Sequence, residues 1–191
     1  MQACTYYRSQ LEWRPYGHLI CTPVCLLVGT AFLSGMEGLS QQRLAELMAL
    51  SHSLYRDHFA KAGLPLKIQE LFPLIPAGLF KLEEAAGMVL SQQPQGAAAD
   101  DLLLTPLYEL LLNNSRKERR VIIVTANGHT ICFRVEGATL QIFDPLPATL
   151  FTLSLTSLKQ WLGQFYGSEA ALYSAVLITR QSAASCASSF C

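Results

Sequence analysis

Three residues of this chain are of the types that perform acyl transfer together: a cysteine at 21, a histidine at 129 and an aspartate at 144. The last two sit in consecutive runs of strand-forming residues, HTICFRV and ATLQIFD, with Glu136–Gly137 between them. A two-residue hairpin turn at Glu136–Gly137 pairs Val135 with Ala138, Phe133 with Leu140, Ile131 with Ile142 and His129 with Asp144. Side chains alternate along a strand, so these residues share one face, apolar except for a polar pair at its open end. Opposed Cβ atoms lie about 4.5–5.5 Å apart, close enough for the carboxylate to hold one imidazole nitrogen and fix the ring tautomer. That is the orienting role of the third member of a catalytic triad. The plainer reading is a His–Asp hydrogen bond that finishes the rim of the core. The same alternation puts Cys132 on the face away from His129, which excludes it as the partner and leaves it a structural role.

Cys21 precedes Thr22–Pro23, a favoured helix start, so it falls at or just ahead of the first turn. Backbone N–H groups and the helix dipole stabilise a thiolate there, which makes Cys21 the candidate nucleophile. Cys25, one turn further in and flanked by Val24, Leu26, Leu27 and Val28, fills core volume instead. An inert buried thiol is the alternative role for Cys21 as well. An oxyanion hole would combine the Cys21 N–H with a side-chain donor from the preceding segment; Gln10 is the available amide and His18 a weaker alternative. Metal chemistry has little to use. Cys21/Cys25 are apolar and helical, Cys186/Cys191 lie in the tail, and His52 and His58 have no matching partners. No glycine-rich phosphate loop occurs, and NNSRKERR reads as a solvated turn. Neither a metal nor an organic cofactor is expected.

The elements that must position these residues follow from periodicity. Thr22–Ser34 should form a helix buried on nearly all sides and stopped by Gly35 and Gly38. Leu44, Leu47, Met48 and Leu50 recur at helical spacing behind a Ser40 N-cap, and that helix continues toward Phe59. The proline-rich segment 64–80 reads as irregular, KLEEAAGMVL as a helical piece, and 91–100 as an exposed loop before a helix near Pro106. Strands follow at VIIVTA, HTICFRV and ATLQIFD, then a helix over Thr156–Tyr166 and a last strand in LYSAVLITR. Helices first and an antiparallel meander afterwards predict an α+β fold, with the nucleophile helix packed on a C-terminal sheet.

With 191 residues, 51% hydrophobic and 15% charged, the chain can bury the core of one domain, expected over 1–180 with a flexible tail at 181–191. Lys+Arg and Asp+Glu balance at 14 each, which gives no reason to expect nucleic acid as partner. Charge this sparse fits a piece of a larger protein or assembly. Pro15–Met36 carries no Asp, Glu, Lys or Arg and is long enough to span a bilayer, but its prolines, glycines and hydroxyls favour a buried helix, so no membrane is expected. Six unevenly spaced cysteines point to a reducing compartment rather than a disulfide scaffold.

Cys at a helix start, a helical stretch, His opening a strand and Asp closing the next is the order of papain-like cysteine peptidases, which the chain resembles. The pairing of CTPVCLLVGTAFL with NGHTICF and LQIFDP more narrowly resembles the deubiquitinase domain of herpesvirus large tegument proteins and their tegument-like relatives. One departure stands out: those enzymes carry Asp-x-His after the second strand, whereas Leu146 stands two residues after Asp144 here, so His129 must supply the imidazole. The resemblance implies a thiol protease, cytoplasmic or in the host cytoplasm or nucleus, that cleaves after the C-terminal glycine of ubiquitin or a ubiquitin-like modifier. Asp100 and Asp101 are candidates to meet the arginines of such a tail. Two alternatives stay open: another Cys-His-Asp protease or acyltransferase, and an inert papain-like binding module.

Overall fold

The computed structural model describes residues 2–5, 20–35, 40–62, 71–74, 80–88, 108–113, 120–126, 129–136, 138–146, 148–166 and 173–180. Helix α1 (Cys21–Leu33) is the centre of the molecule, and every one of its residues except Thr22 is buried. A helix apolar on all sides has to be enclosed. It stops where Gly35 takes a left-handed backbone, φ 94°, and the N–H groups of Ser34 and Gly35 return to the carbonyls of the last turn. Helix α2 (Gln41–Ala62) starts as expected: the Ser40 hydroxyl accepts the Arg43 N–H at 3.1 Å. Leu44, Leu47, Met48 and Ser51 form its buried stripe.

Among the described residues the other partner of α1 is an antiparallel sheet of seven strands. They are β1 (Gln2–Thr5), β2 (Phe80–Met88), β3 (Arg120–Ala126), β4 (His129–Glu136), β5 (Thr139–Asp144), β6 (Thr149–Ser154) and β7 (Tyr173–Arg180), in the order β1-β6-β5-β4-β3-β7-β2. Alternation divides its side chains between two cores. Val121, Ile123, Cys132, Phe143, Val176 and Ile178 pack with α1 and α2. On the other face Ile122, Val124, Ile131, Phe133, Leu140, Ile142 and Leu177 pack with helix α3 (Leu158–Tyr166) and with Leu111 of the helical stretch over 108–113. The architecture is α+β, with α1 between α2 and the sheet. Among the described residues no helix is long and apolar enough to cross a membrane.

Three expectations are corrected. KLEEAAGMVL is largely strand: β2 pairs with β7 from Phe80↔Arg180 to Met88↔Tyr173, with an irregularity between Glu84 and Ala86. Its Leu, Glu and Ala are good helix formers, but the edge of β7 needs a hydrogen-bonding partner and that tertiary demand overrides propensity. Helices do not simply precede the sheet, because β1 and β2 come from the N-terminal half, and β6, also unanticipated, bridges β1 to β5. The β4–β5 turn lies one residue later than expected, at Gly137–Ala138, so Glu136 pairs Thr139, Phe133 pairs Ile142 and Cys132 pairs Phe143. A Glu136–Gly137 turn of type I′ would have forced Glu136 into a left-handed backbone. Segment 64–70, the loop 91–100 and the tail 181–191 lie outside the described residues.

Gly29 is where α1 comes closest to the sheet: a Cβ there would lie 2.7 Å from Val121 Cγ1 and 3.5 Å from Cys132 Sγ. Overpacking costs about 1–3 kcal/mol, more than the ~1 kcal/mol alanine gains over glycine in a helix. Gly29→Ala should therefore lower stability by about 1 kcal/mol in urea denaturation, and by less in a Val121→Ala background, where the clashing methyl is gone.

Candidate active site

Antiparallel pairing brings the first residue of β4 and the last residue of β5 to the same end of the sheet. There His129 Nε2 and Asp144 Oδ1 are 2.8 Å apart. With the turn shifted by one residue the register shifts by two; the β4–β5 ladder ends at Cys132↔Phe143, and the same register carried one residue further puts Asp144 level with Ile131 and diagonal to His129 rather than directly across from it. A shift of two preserves the face, and diagonal neighbours about 7–8 Å apart at Cα are bridged by a ring and a carboxylate. The Leu146 N–H also donates to Asp144 Oδ1, at 2.9 Å. Asp144 is 6% exposed and His129 24%, so the carboxylate is sheltered while one side of the ring is reachable from solvent.

Cys21 is the first residue of α1 and 3% exposed, and its thiol is hydrogen-bonded to His129. With Nε2 on Asp144, the ring nitrogen facing the sulfur is Nδ1. Ile20, in the N-cap position, has no side-chain cap, and no acidic residue stands in the first turn, so the positive end of the helix acts undiminished on Cys21. Burial opposes the thiolate, but hydrogen bonds from His129 and Thr130 and the charge of His129 outweigh it and hold the Cys21 thiol below its ordinary value. Burial likewise opposes the His129 imidazolium, and the bond to Asp144, the bond to Cys21 and both their charges raise its pKa to about 9. Both shifts act toward the thiolate–imidazolium form of the pair, the form that can attack a carbonyl and then protonate the leaving group.

The other described thiols are unlike Cys21. Cys25 is fully buried, donates to the Thr130 carbonyl at 3.2 Å, and is pushed far up by burial. Burial also pushes Cys132 up, and it packs in the α1 core, on the face away from Ile131 and Phe133. His52 on α2 is lowered by burial and by Arg56. Among the described residues no cluster of three or more His, Cys, Asp or Glu could hold a metal. Gln10, His18, Asp100, Asp101, Cys186 and Cys191 lie outside the described residues, as do the side chains of Cys4 and His58. Two contributors escaped sequence reasoning: the Leu146 N–H, because backbone donors carry no residue signature, and Thr130. The signal for Thr130 was its place beside His129 with opposite parity, toward α1.

The α+β fold, a buried helix that begins with a cysteine packed on an antiparallel sheet, resembles that of papain-like cysteine peptidases. Within that fold the chain is similar to the ubiquitin-specific protease encoded by murine cytomegalovirus tegument protein M48, solved in complex with a ubiquitin-based suicide substrate. The likeness has 19% identity and a TM-score of 0.65, covering 95% of this chain and 88% of that one. The avirulence protein AvrPphB of Pseudomonas matches with 14% identity and a TM-score of 0.49, covering 92% of this chain and 97% of the other. No protein-family model matches the chain, and no curated protein matches it by sequence. The likeness is one of fold. In this chain the Leu146 backbone N–H and the His129 ring both meet Asp144 Oδ1.

A histidine pKa raised above its unfolded value contributes stability that is complete below about pH 6.5 and is lost as pH rises through about 9. Asp144→Asn removes the carboxylate charge, so the His129 midpoint, followed by NMR of the ring Cε1–H, should fall by about one unit or more. The wild-type midpoint should lie near 9.

Proposed function

We propose that this protein is a cysteine protease that hydrolyses the bond after the C-terminal glycine of ubiquitin or a ubiquitin-like modifier. The observation that carries the reading is the contact of Cys21 with a histidine held by a buried aspartate, at the start of an enclosed helix. The Cys21 thiolate adds to the glycine carbonyl carbon. The C–N bond then breaks as His129 Nδ1–H passes its proton to the departing amine, leaving a thioester. A water deprotonated by His129 attacks the thioester, and the released sulfur and imidazole return to their charged pair. Asp144 keeps Nε2 engaged, so that Nδ1 always faces the sulfur. Gln10, with the N–H of Cys21, is proposed as oxyanion donor.

Ubiquitin as the substrate class is supported by the fold shared with the cytomegalovirus protease. The extended glycine tail of such a modifier suits a site whose nucleophile is nearly enclosed, since only a narrow chain reaches a cysteine that is 3% exposed. A cytoplasmic or host-cell setting, where ubiquitin occurs and thiols stay reduced, belongs to the same proposal.

The test is incubation with ubiquitin carrying a C-terminal thiol-reactive warhead, read by intact mass. An adduct should form with wild type and with Cys25→Ala, vanish with Cys21→Ala, and form about 10²–10⁴-fold more slowly with His129→Ala. Without an adduct, a Cys21 still reactive to iodoacetamide would keep the thiol hydrolase and discard ubiquitin, whereas an unreactive Cys21 would leave a binding module.

A further inference from the structure

Three threonine hydroxyls meet beside the candidate nucleophile. Thr130, the second residue of β4, is fully buried. Its Oγ1 lies 2.9 Å from Thr22 Oγ1 in the first turn of α1 and 3.0 Å from Thr125 Oγ1 on the paired strand β3. Its carbonyl accepts the Cys25 thiol at 3.2 Å, and its hydroxyl and backbone also reach the Cys21 sulfur. One residue thus meets α1 at Cys21, Thr22 and Cys25, and it is the chain neighbour of His129.

A hydroxyl has one proton and two lone pairs. A thiolate can only accept, so the Thr130 proton goes to sulfur, and both neighbouring hydroxyls must then donate into the Thr130 oxygen. All three protons and both lone pairs are used, and each incoming bond polarises the outgoing one. We infer that Thr130 is a positioning residue for Cys21: its hydroxyl, loaded by Thr22 and Thr125, donates to the sulfur and holds it against His129. The inference rests on the reading of Cys21 as the nucleophile. It assigns the relay to the resting thiolate, whose negative charge strengthens the Thr130 bond and whose loss on acylation weakens it. Among the described residues the charged and titratable groups around the sulfur are His129 on β4, Asp144 on β5 through His129, and Cys25 on α1 itself. Cys25 stays neutral throughout the working range because burial holds its pKa far up.

The experiment is the pH dependence of Cys21 alkylation by iodoacetamide, localised by tandem mass spectrometry, in wild type, Thr130→Val, Thr130→Ser and Thr22→Val. Wild type should show a midpoint below the ordinary thiol value of 9.0. Thr130→Val keeps the volume and removes the donor, so its midpoint should rise by about one unit, a tenfold loss of rate on the acid side. Thr130→Ser should restore it. Thr22→Val, which removes one of the two donors into Thr130, should shift it in the same direction by less, and this variant decides the matter if Thr130→Val fails to fold. A change of packing alone would lower the melting temperature without moving the midpoint. A low wild-type midpoint left unmoved by Thr130→Val, or by Thr22→Val where Thr130→Val does not fold, would overturn the relay and leave the nucleophile standing. An ordinary midpoint in wild type would overturn both.

Discussion

Helix α1 has no polar side to give to water, and the arrangement of the chain around it follows from that constraint. Twelve of its thirteen residues are buried. One flank is covered by the Leu44, Leu47 and Met48 stripe of α2, another by the α1-facing side chains of β3, β4 and β7. The fit is close enough that Gly29 leaves no room for a methyl against Val121. Enclosure fixes the direction of the helix as well as its position, and so fixes where its first residue lies.

That first residue is Cys21, and the placement gives a buried sulfur what burial alone denies. A thiol in apolar surroundings keeps its proton, as Cys25 and Cys132 do. At the start of α1 the hydrogen bond and charge of His129 and the Thr130 donors act together and reverse the sign of the shift. One helical turn separates the two behaviours. Cys25 lies deeper, where its thiol finds a carbonyl acceptor rather than donors.

The His129–Asp144 contact shows how much error strand arithmetic tolerates. Placing the turn one residue early changes every cross-strand partner, yet the side-chain faces are unchanged because the register moves by two. The pair therefore survives as a diagonal contact at 2.8 Å. Parity also separates Cys132 from His129, although α1, the helix that begins with Cys21, packs on the Cys132 side. Cys21 reaches the ring because helix and strand both begin at the end of the sheet, where a side chain is no longer confined to one face. Cys132, three residues further along β4, is confined.

Local pattern determined the enclosed helix and its start, the stop at Gly35, the Ser40 cap, strands β3, β4, β5 and β7, and the face that His129 shares with Asp144. Each of these is a matter of period or of a capping residue, and period and caps are written within one turn or one strand. Only the tertiary structure decided that 80–88 is a strand and that Gln2–Thr5 and Thr149–Ser154 join the sheet. Hydrogen-bonding demand at a distant strand edge settles such segments, and no local propensity records it. The same holds for the triple contact of Thr130 with α1: Thr22 and Thr130 are 108 residues apart, and their 2.9 Å hydroxyl contact exists because the packing of an apolar helix on a sheet brings them together.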